Sequence, residues 1–166
     1  MRLIPEHERL IRIQLANQTL TVIESGTLRW TCRISTAANG AGERSGSGCT
    51  PRGRHYIRAR IGEGAPLNAV FAGRRPTGEI WSPELAARFP DRDWILTRIF
   101  WLCGLEPGRN RGGDCDTMRR YIYIHGTPDT EPMGIPRSHG CIRMHNPDLL
   151  TLWTLAPAGT QVWIEP

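Results

Sequence analysis

No lysine occurs anywhere in this 166-residue chain; all 21 basic residues are arginine, against 16 acidic ones, for a formal net charge of +5. Net charge on its own speaks to partners only loosely. A nucleic-acid surface wants basic residues gathered on one element with aromatics among them, whereas these arginines are scattered from Arg2 to Arg143. Nucleic acid is therefore not an expected partner. Long apolar runs are missing as well. A spanning helix needs about 18 or more apolar residues in a row, and the most apolar stretch, Trp94 to Leu105, is broken by Arg98. A membrane is not expected either. Residues 1–9 hold no apolar h-region and no small-residue cleavage site, the two marks of a secretory leader. The cysteines (Cys32, Cys49, Cys103, Cys115 and Cys141) are odd in number and lack a framework spacing, which fits reduced thiols better than a disulfide scaffold. From these absences a cytoplasmic location is expected.

What is present reads as one globular domain over residues 1–166. The hydrophobic fraction is 39% and the charged fraction 22%, ordinary values for a soluble fold, and a chain this long can bury a substantial core. Its pattern is β-rich. Residues 10–15 alternate as a strand, Asn17-Gln18 is a turn, and 19–24 and 27–36 are two further strands. Residues 37–48 are small, polar and glycine-rich, a loop. Strands are expected at 56–61, 67–71 and 93–103. Ser82-Pro83-Glu84 opens a helix that Pro90 limits to about two turns, and 104–118 is a glycine-rich loop. Asn146-Pro147-Asp148 is an N-cap, Pro and acid ahead of a helical face of Leu149, Leu152 and Trp153. Residues 160–165 close as a strand. The fold class is mainly β, with one or two short helices.

Chemistry concentrates between Tyr121 and Asn146. Residues 121–124 are β-formers that end at His125-Gly126; a loop of Gly and Pro leads to Ser138-His139-Gly140-Cys141, then Ile142-Arg143-Met144. The thiolate is the attacking form of cysteine, and a thiol of pKa near roughly 8.5 needs a base or a cation beside it. An imidazole supplies one if a third group fixes its tautomer. Gly140 lets the backbone turn freely, and N–H groups at such a turn can face the oxygen that gains charge in acyl transfer. Zinc is the competing use of His125, His139, Cys141 and His145. Structural zinc sites favour Cys-x2-4-Cys with matched histidines, and His139-Gly-Cys141 is too tight for both to bind. No metal is expected.

The run SHGCIRM at 138–144, preceded by IHGT at 124–127, resembles the signature of the L,D-transpeptidase catalytic domain, the YkuD-type family. The hairpins ending in Ile34-Ser35-Thr36 and the Thr50-Pro51-Arg52-Gly53 turn are similar to that family's opening as well. The resemblance implies an L,D-transpeptidase β-sandwich without cofactor. Its implied substrates are peptidoglycan stem peptides, cut between an L-centre, commonly that of meso-diaminopimelate, and the D-alanine that follows. It also implies roles. Cys141 is the nucleophile and His125 the base, oriented by a backbone carbonyl at or near Gly126. The N–H groups of Gly140 and Cys141 form the oxyanion hole, His139 shapes the pocket, and Ser138 braces the turn. Arg143, and more weakly Arg137, would hold a carboxylate by paired hydrogen bonds, the alternative for Arg143 being a structural ion pair. The chain departs from many relatives in having Arg143 where they carry asparagine, and in a short 126–137 loop.

Three questions stay open at this level. Residues 74–120 form either a surface excursion or a substrate-shaping lid. The acyl acceptor is water, which makes an L,D-carboxypeptidase, or an amine, which makes a cross-linking or exchanging transpeptidase. With a cytoplasmic location expected, soluble tetrapeptide stems in recycling favour water. A non-catalytic muropeptide-binding module is the reading outside enzymology, and the joint presence of His125 and Cys141 argues against it. The oligomeric state is not encoded in any pattern found.

Overall fold

A computed structural model describes all residues, Met1 to Pro166. Ten strands and two helices follow one another in the order β1 (Arg9–Gln14), β2 (Thr19–Glu24), β3 (Thr27–Arg33), β4 (Gly53–Ile61), β5 (Ala69–Ala72), β6 (Arg75–Ile80), α1 (Pro83–Arg88), β7 (Ile95–Gly104), β8 (Tyr123–Thr127), β9 (Ile142–His145), α2 (Asn146–Leu155) and β10 (Gln161–Glu165). All ten strands belong to one sheet, ordered β3-β2-β1-β10-β4-β7-β5-β6, with β8 on β7 and β9 on β8. The expected sandwich is thus closed by a single curled sheet.

Period-two patterning sets the inner face. Ile11 and Ile13 of β1, Leu20 and Val22 of β2, and Val162 and Ile164 of β10 are all buried, while the residues between them face out. The same alternation runs through β8 and β9 and the residues that lead into them. Ile122, Ile124, Ile142 and Met144 enter the main core, which Leu149, Leu152 and Trp153 of α2 fill from the other side. Trp153 packs on Phe100 with ring centroids 5.3 Å apart. β7 is the hub of the sheet: its burial is nearly continuous, because β4 and β5 pair along one edge and β8 along the other.

Several elements end differently from the sequence expectation, each for a local reason. β3 stops at Arg33, and residues 35–37 leave it to bridge Arg143 and Ser138 instead. β8 starts at Tyr123 rather than at 121, since Tyr121 sits at φ 57 and cannot continue a strand. β6 was not anticipated; its sequence, RPTGEI, holds a Pro and a Gly, and only pairing with β5 makes it a strand. Asn146 is not the cap of α2 but its first residue, after His145. Its side chain is needed elsewhere. It accepts from Thr97 Oγ1 at 2.7 Å and donates to Asn68 Oδ1 at 2.9 Å and the Thr127 carbonyl at 3.2 Å. This buried polar knot ties the β7 bulge, the end of β8 and the start of α2 together.

Candidate active site

Because paired residues on neighbouring strands point to the same face, the register Ile124↔Ile142 and His125↔Arg143 fixes the site. With 122, 124, 142 and 144 committed to the core, Tyr123, His125, Cys141 and Arg143 share the opposite face. His125 and Cys141 therefore lie diagonally across the two parallel segments, two register positions apart with the Ile124–Ile142 pair between.

His125 is buried, and its Nδ1 donates to the carbonyl of Gly126 at 2.7 Å, leaving Nε2 without a partner in the chain. That contact fixes the tautomer of the ring, with the proton on Nδ1. Only glycine fits at 126: a Cβ would meet Asn146 Oδ1 at 2.1 Å and the Leu96 carbonyl at 2.5 Å. Burial pulls the His125 pKa down, so the ring is neutral near pH 7.

Cys141 is half-buried. Its Sγ receives the Tyr123 N–H at 3.3 Å and approaches the Tyr121 carbonyl at 3.4 Å. Desolvation pushes the thiol up to about 11; the Tyr123 N–H lowers it, Asp93 raises it further, and Arg143 and Arg120 lower it. The resting pair is consequently a neutral thiol and a neutral imidazole, not a preformed thiolate.

The turn before Cys141 is held on three sides. Ser138 Oγ donates to the Cys141 carbonyl at 2.5 Å, bracing the turn as expected. Thr50 Oγ1 donates to the Gly140 carbonyl at 2.9 Å, and Arg143 N–H donates to the Ser35 carbonyl at 2.8 Å. Gly140 sits at φ 136, where a side chain would be strained. The Gly140 N–H, one of the two expected oxyanion-hole donors, donates to Ser138 Oγ at 3.2 Å in the resting structure. The Cys141 N–H makes no hydrogen bond within the chain.

Arg143 is nearly buried and already engaged, its Nη2 donating to Asp93 Oδ1 at 2.8 Å with Glu131 at 3.8 Å. The ion-pair alternative is the one the resting structure holds. Nothing in the 126–145 motif pointed to Asp93, which arrives from the segment before β7 and also lies 3.5 Å from His139. His139 is largely exposed between two pockets. Arg137 is exposed and enters only through its backbone, which accepts from Arg143 at 3.4 Å and donates to Ser35 Oγ. The zinc candidates do not converge: His145 is bonded through Nε2 to the Glu131 carbonyl at 2.9 Å, and no three His, Cys, Asp or Glu side chains are grouped to hold a metal ion.

The 74–120 segment reaches the site at more than one point. Asp93 and Trp94 near its middle line one pocket; Arg119 and Arg120 at its end, with the adjoining Tyr121, line the other. At the tip of the β5–β6 hairpin, Arg74 stacks 4.8 Å from the rings of Trp101 and Tyr121 and donates to the Tyr123 hydroxyl at 2.9 Å. The middle is pinned away from the site, with Asn110 Nδ2 bonded to the carbonyls of Arg52 and Arg54.

Cys141 and a histidine whose tautomer is fixed by a backbone carbonyl thus share one face of a curled β-sheet. The L,D-transpeptidase catalytic domain model matches residues 8–164, so the chain belongs to that family, YkuD. Among curated relatives, the protein of Bacillus subtilis named L,D-transpeptidase YkuD is 39% identical over 62 residues, covering 34% of this chain and 38% of that protein. The Escherichia coli protein named L,D-transpeptidase YbiS is 27% identical over 106 residues, covering 62% of this chain and 34% of its own. These matches thus span little more than a third of either relative. Two solved structures share the fold. An L,D-transpeptidase of Xylanimonas cellulosilytica has a TM-score of 0.54 at 19% identity, over 95% of this chain and 60% of that one. L,D-transpeptidase 3 of Mycobacterium tuberculosis, bearing a faropenem-derived adduct, has a TM-score of 0.58 at 15% identity, over 96% and 60%.

Proposed function

We propose that this chain cleaves peptidoglycan stem peptides between an L-centre and the following D-alanine, through a thioester on Cys141. The observation that carries the proposal is the placement of Cys141 and His125 on one face of β8 and β9, with Gly126 fixing the imidazole so that Nε2 is free. As the substrate carbonyl enters, Nε2 takes the thiol proton and sulfur bonds to carbon. The Cys141 N–H faces the oxygen that gains charge. The imidazolium then returns the proton to the leaving amine, and D-alanine departs. Because thiol and imidazole both start neutral, this proton transfer belongs to the attack itself.

Water is our first choice of acceptor, making an L,D-carboxypeptidase that trims soluble tetrapeptides to tripeptides. In support, the pocket beyond Arg143 is small, about 200 Å³, and polar. A cytoplasmic setting is part of the same proposal, and the five unpaired thiols suit a reducing compartment. The second reading is transfer to an amine, favoured by the acidic residues Asp91, Asp93 and Glu131 in that pocket. Incubating tetrapeptide with and without an added D-amino acid separates the two by product mass. Free D-alanine plus tripeptide is expected. Exclusive formation of exchanged or dimeric products would replace hydrolysis by transfer, and unchanged turnover in Cys141→Ala would remove the thioester altogether.

A further inference from the structure

Six residues other than glycine hold a positive φ, and two of them, Arg74 (φ 66) and Tyr121 (φ 57), meet beside Cys141. Arg74 follows Gly73 in the two-residue turn between β5 and β6, both at positive φ, a turn form that favours glycine at its second place. An arginine there is strained backbone, and such strain persists only where the surroundings fix it. What fixes this one is aromatic. The Arg74 guanidinium lies 4.8 Å from the ring centres of Trp101 and of Tyr121, and it donates to the Tyr123 hydroxyl at 2.9 Å. Trp101 stands 6.1 Å from both tyrosine rings. Its Nε1 donates at 3.1 Å to the Met118 carbonyl, which also accepts from the Tyr121 N–H. The backbone of those same two tyrosines holds the sulfur: Cys141 Sγ donates to the Tyr121 carbonyl at 3.4 Å and accepts from the Tyr123 N–H at 3.3 Å.

We infer that Arg74 is a positioning residue for Cys141, holding the rings of Tyr121 and Tyr123 so that their backbone groups meet Sγ from two sides. This rests on the thioester chemistry proposed above and adds the residue that sets its starting geometry. The Tyr121 ring is 52% exposed, so without the guanidinium it keeps only its contact with Trp101. The two contacts to sulfur do unequal work. The Tyr121 carbonyl takes the weak S–H bond of the resting thiol. The Tyr123 N–H bonds the thiolate, and a hydrogen bond to a charged acceptor is the stronger one. Freeing residues 121–123 therefore costs the developing thiolate more than it costs the thiol, and the attack slows.

The test compares the full-length wild type with Arg74→Gly, which relieves the strained turn and so keeps the hairpin while removing the guanidinium. Two rates are read. One is alkylation of Cys141 by iodoacetamide at about pH 8, followed by peptide mass to separate it from the other four thiols. The other is release of D-alanine from a stem tetrapeptide. Both should fall about three- to tenfold, the worth of one hydrogen bond to sulfur, with KM nearly unchanged and the urea midpoint equal or higher. Arg74→Lys should recover part of the loss, and Arg75→Gln, exposed at the next position, should match the wild type in both rates. If Arg74→Gly fails to fold, Tyr123→Phe decides, because it removes only the acceptor of the guanidinium: slower alkylation supports the inference and unchanged alkylation overturns it. A folded Arg74→Gly in which either rate stays at the wild-type value also overturns it. So does a loss carried by KM alone, which would make Arg74 a substrate contact. The proposed function fails separately: a wild type that releases no D-alanine sinks that reading, while alkylation still decides the role of Arg74.

Discussion

Replacing Asp93 with asparagine should make the protein less stable and the thiol of Cys141 more acidic at once. Asp93 is the counter-charge of Arg143, whose side chain is only 9% exposed, whereas Asp93 itself is 43% exposed. Breaking a fully buried ion pair costs roughly 3–5 kcal/mol. Here water reaches one partner and asparagine keeps an acceptor for Arg143, so about 1–2 kcal/mol is the appropriate range. For a chain of this size that is a fall in melting temperature of about 3–7 °C. The second effect has the opposite sense for reactivity. The Asp93 charge raises the thiol of Cys141 while Arg143 lowers it, so Asn at 93 removes the opposing influence and leaves the assisting one unpaired. The pH midpoint of iodoacetamide alkylation at Cys141, read by intact mass, should fall below that of the wild type measured alongside. An unchanged or higher midpoint in a folded variant would refute the assignment of Asp93 to the electrostatics of Cys141.

Other expectations are local. Gly126→Ala must displace Asn146 and the Leu96 carbonyl, so it should lower stability by about 3 kcal/mol or more, within the range of overpacking and lost buried hydrogen bonds, as chemical denaturation would show. His55 is buried against Thr117 and the Gly53 carbonyl, and burial lowers its pKa from 6.5 to about 4. For a base held neutral in the fold, that stability is complete above pH 6.5 and is lost as the pH falls toward 4, up to about 3 kcal/mol. Urea midpoints at pH 7 and pH 4.5 should diverge, and diverge less in His55→Gln. A carbapenem should add its mass to the wild-type chain and not to Cys141→Ala; adduct formation at another cysteine would contradict the site.

Strand alternation and the motif were readable from residue order because each is local: Ile11, Ile13, Leu20 and Val22 announce their face two residues at a time, and Cys141 lies three positions from Ser138, which braces it. The orienting role of Gly126 came from resemblance, and the 2.7 Å contact is what the structure adds. What sequence could not disclose depends on distant pairing. Asp93 meets Arg143 across 50 positions, and nothing in its own neighbourhood distinguishes it from Asp91. β6 is a strand only because β5 lies beside it. Asn146 carries every local sign of a cap, yet a tertiary network claims its amide. The engagement of the Gly140 N–H is similar: only the rotamer of Ser138 decides it.

The strand order has a consequence for synthesis. β10 is inserted between β1 and β4, pairing Leu10 with Gln161. As the polypeptide leaves the ribosome, the β1–β3 meander, which ends at Arg33, has no neighbouring strand to join until Gln161 has emerged, roughly 130 residues later, and closing so distant a contact is slow. Until then its apolar side faces the cell, and the turn before Cys141, which leans on Ser35 and Thr50, has only a half-built support. Maturation of the cleft should therefore trail translation.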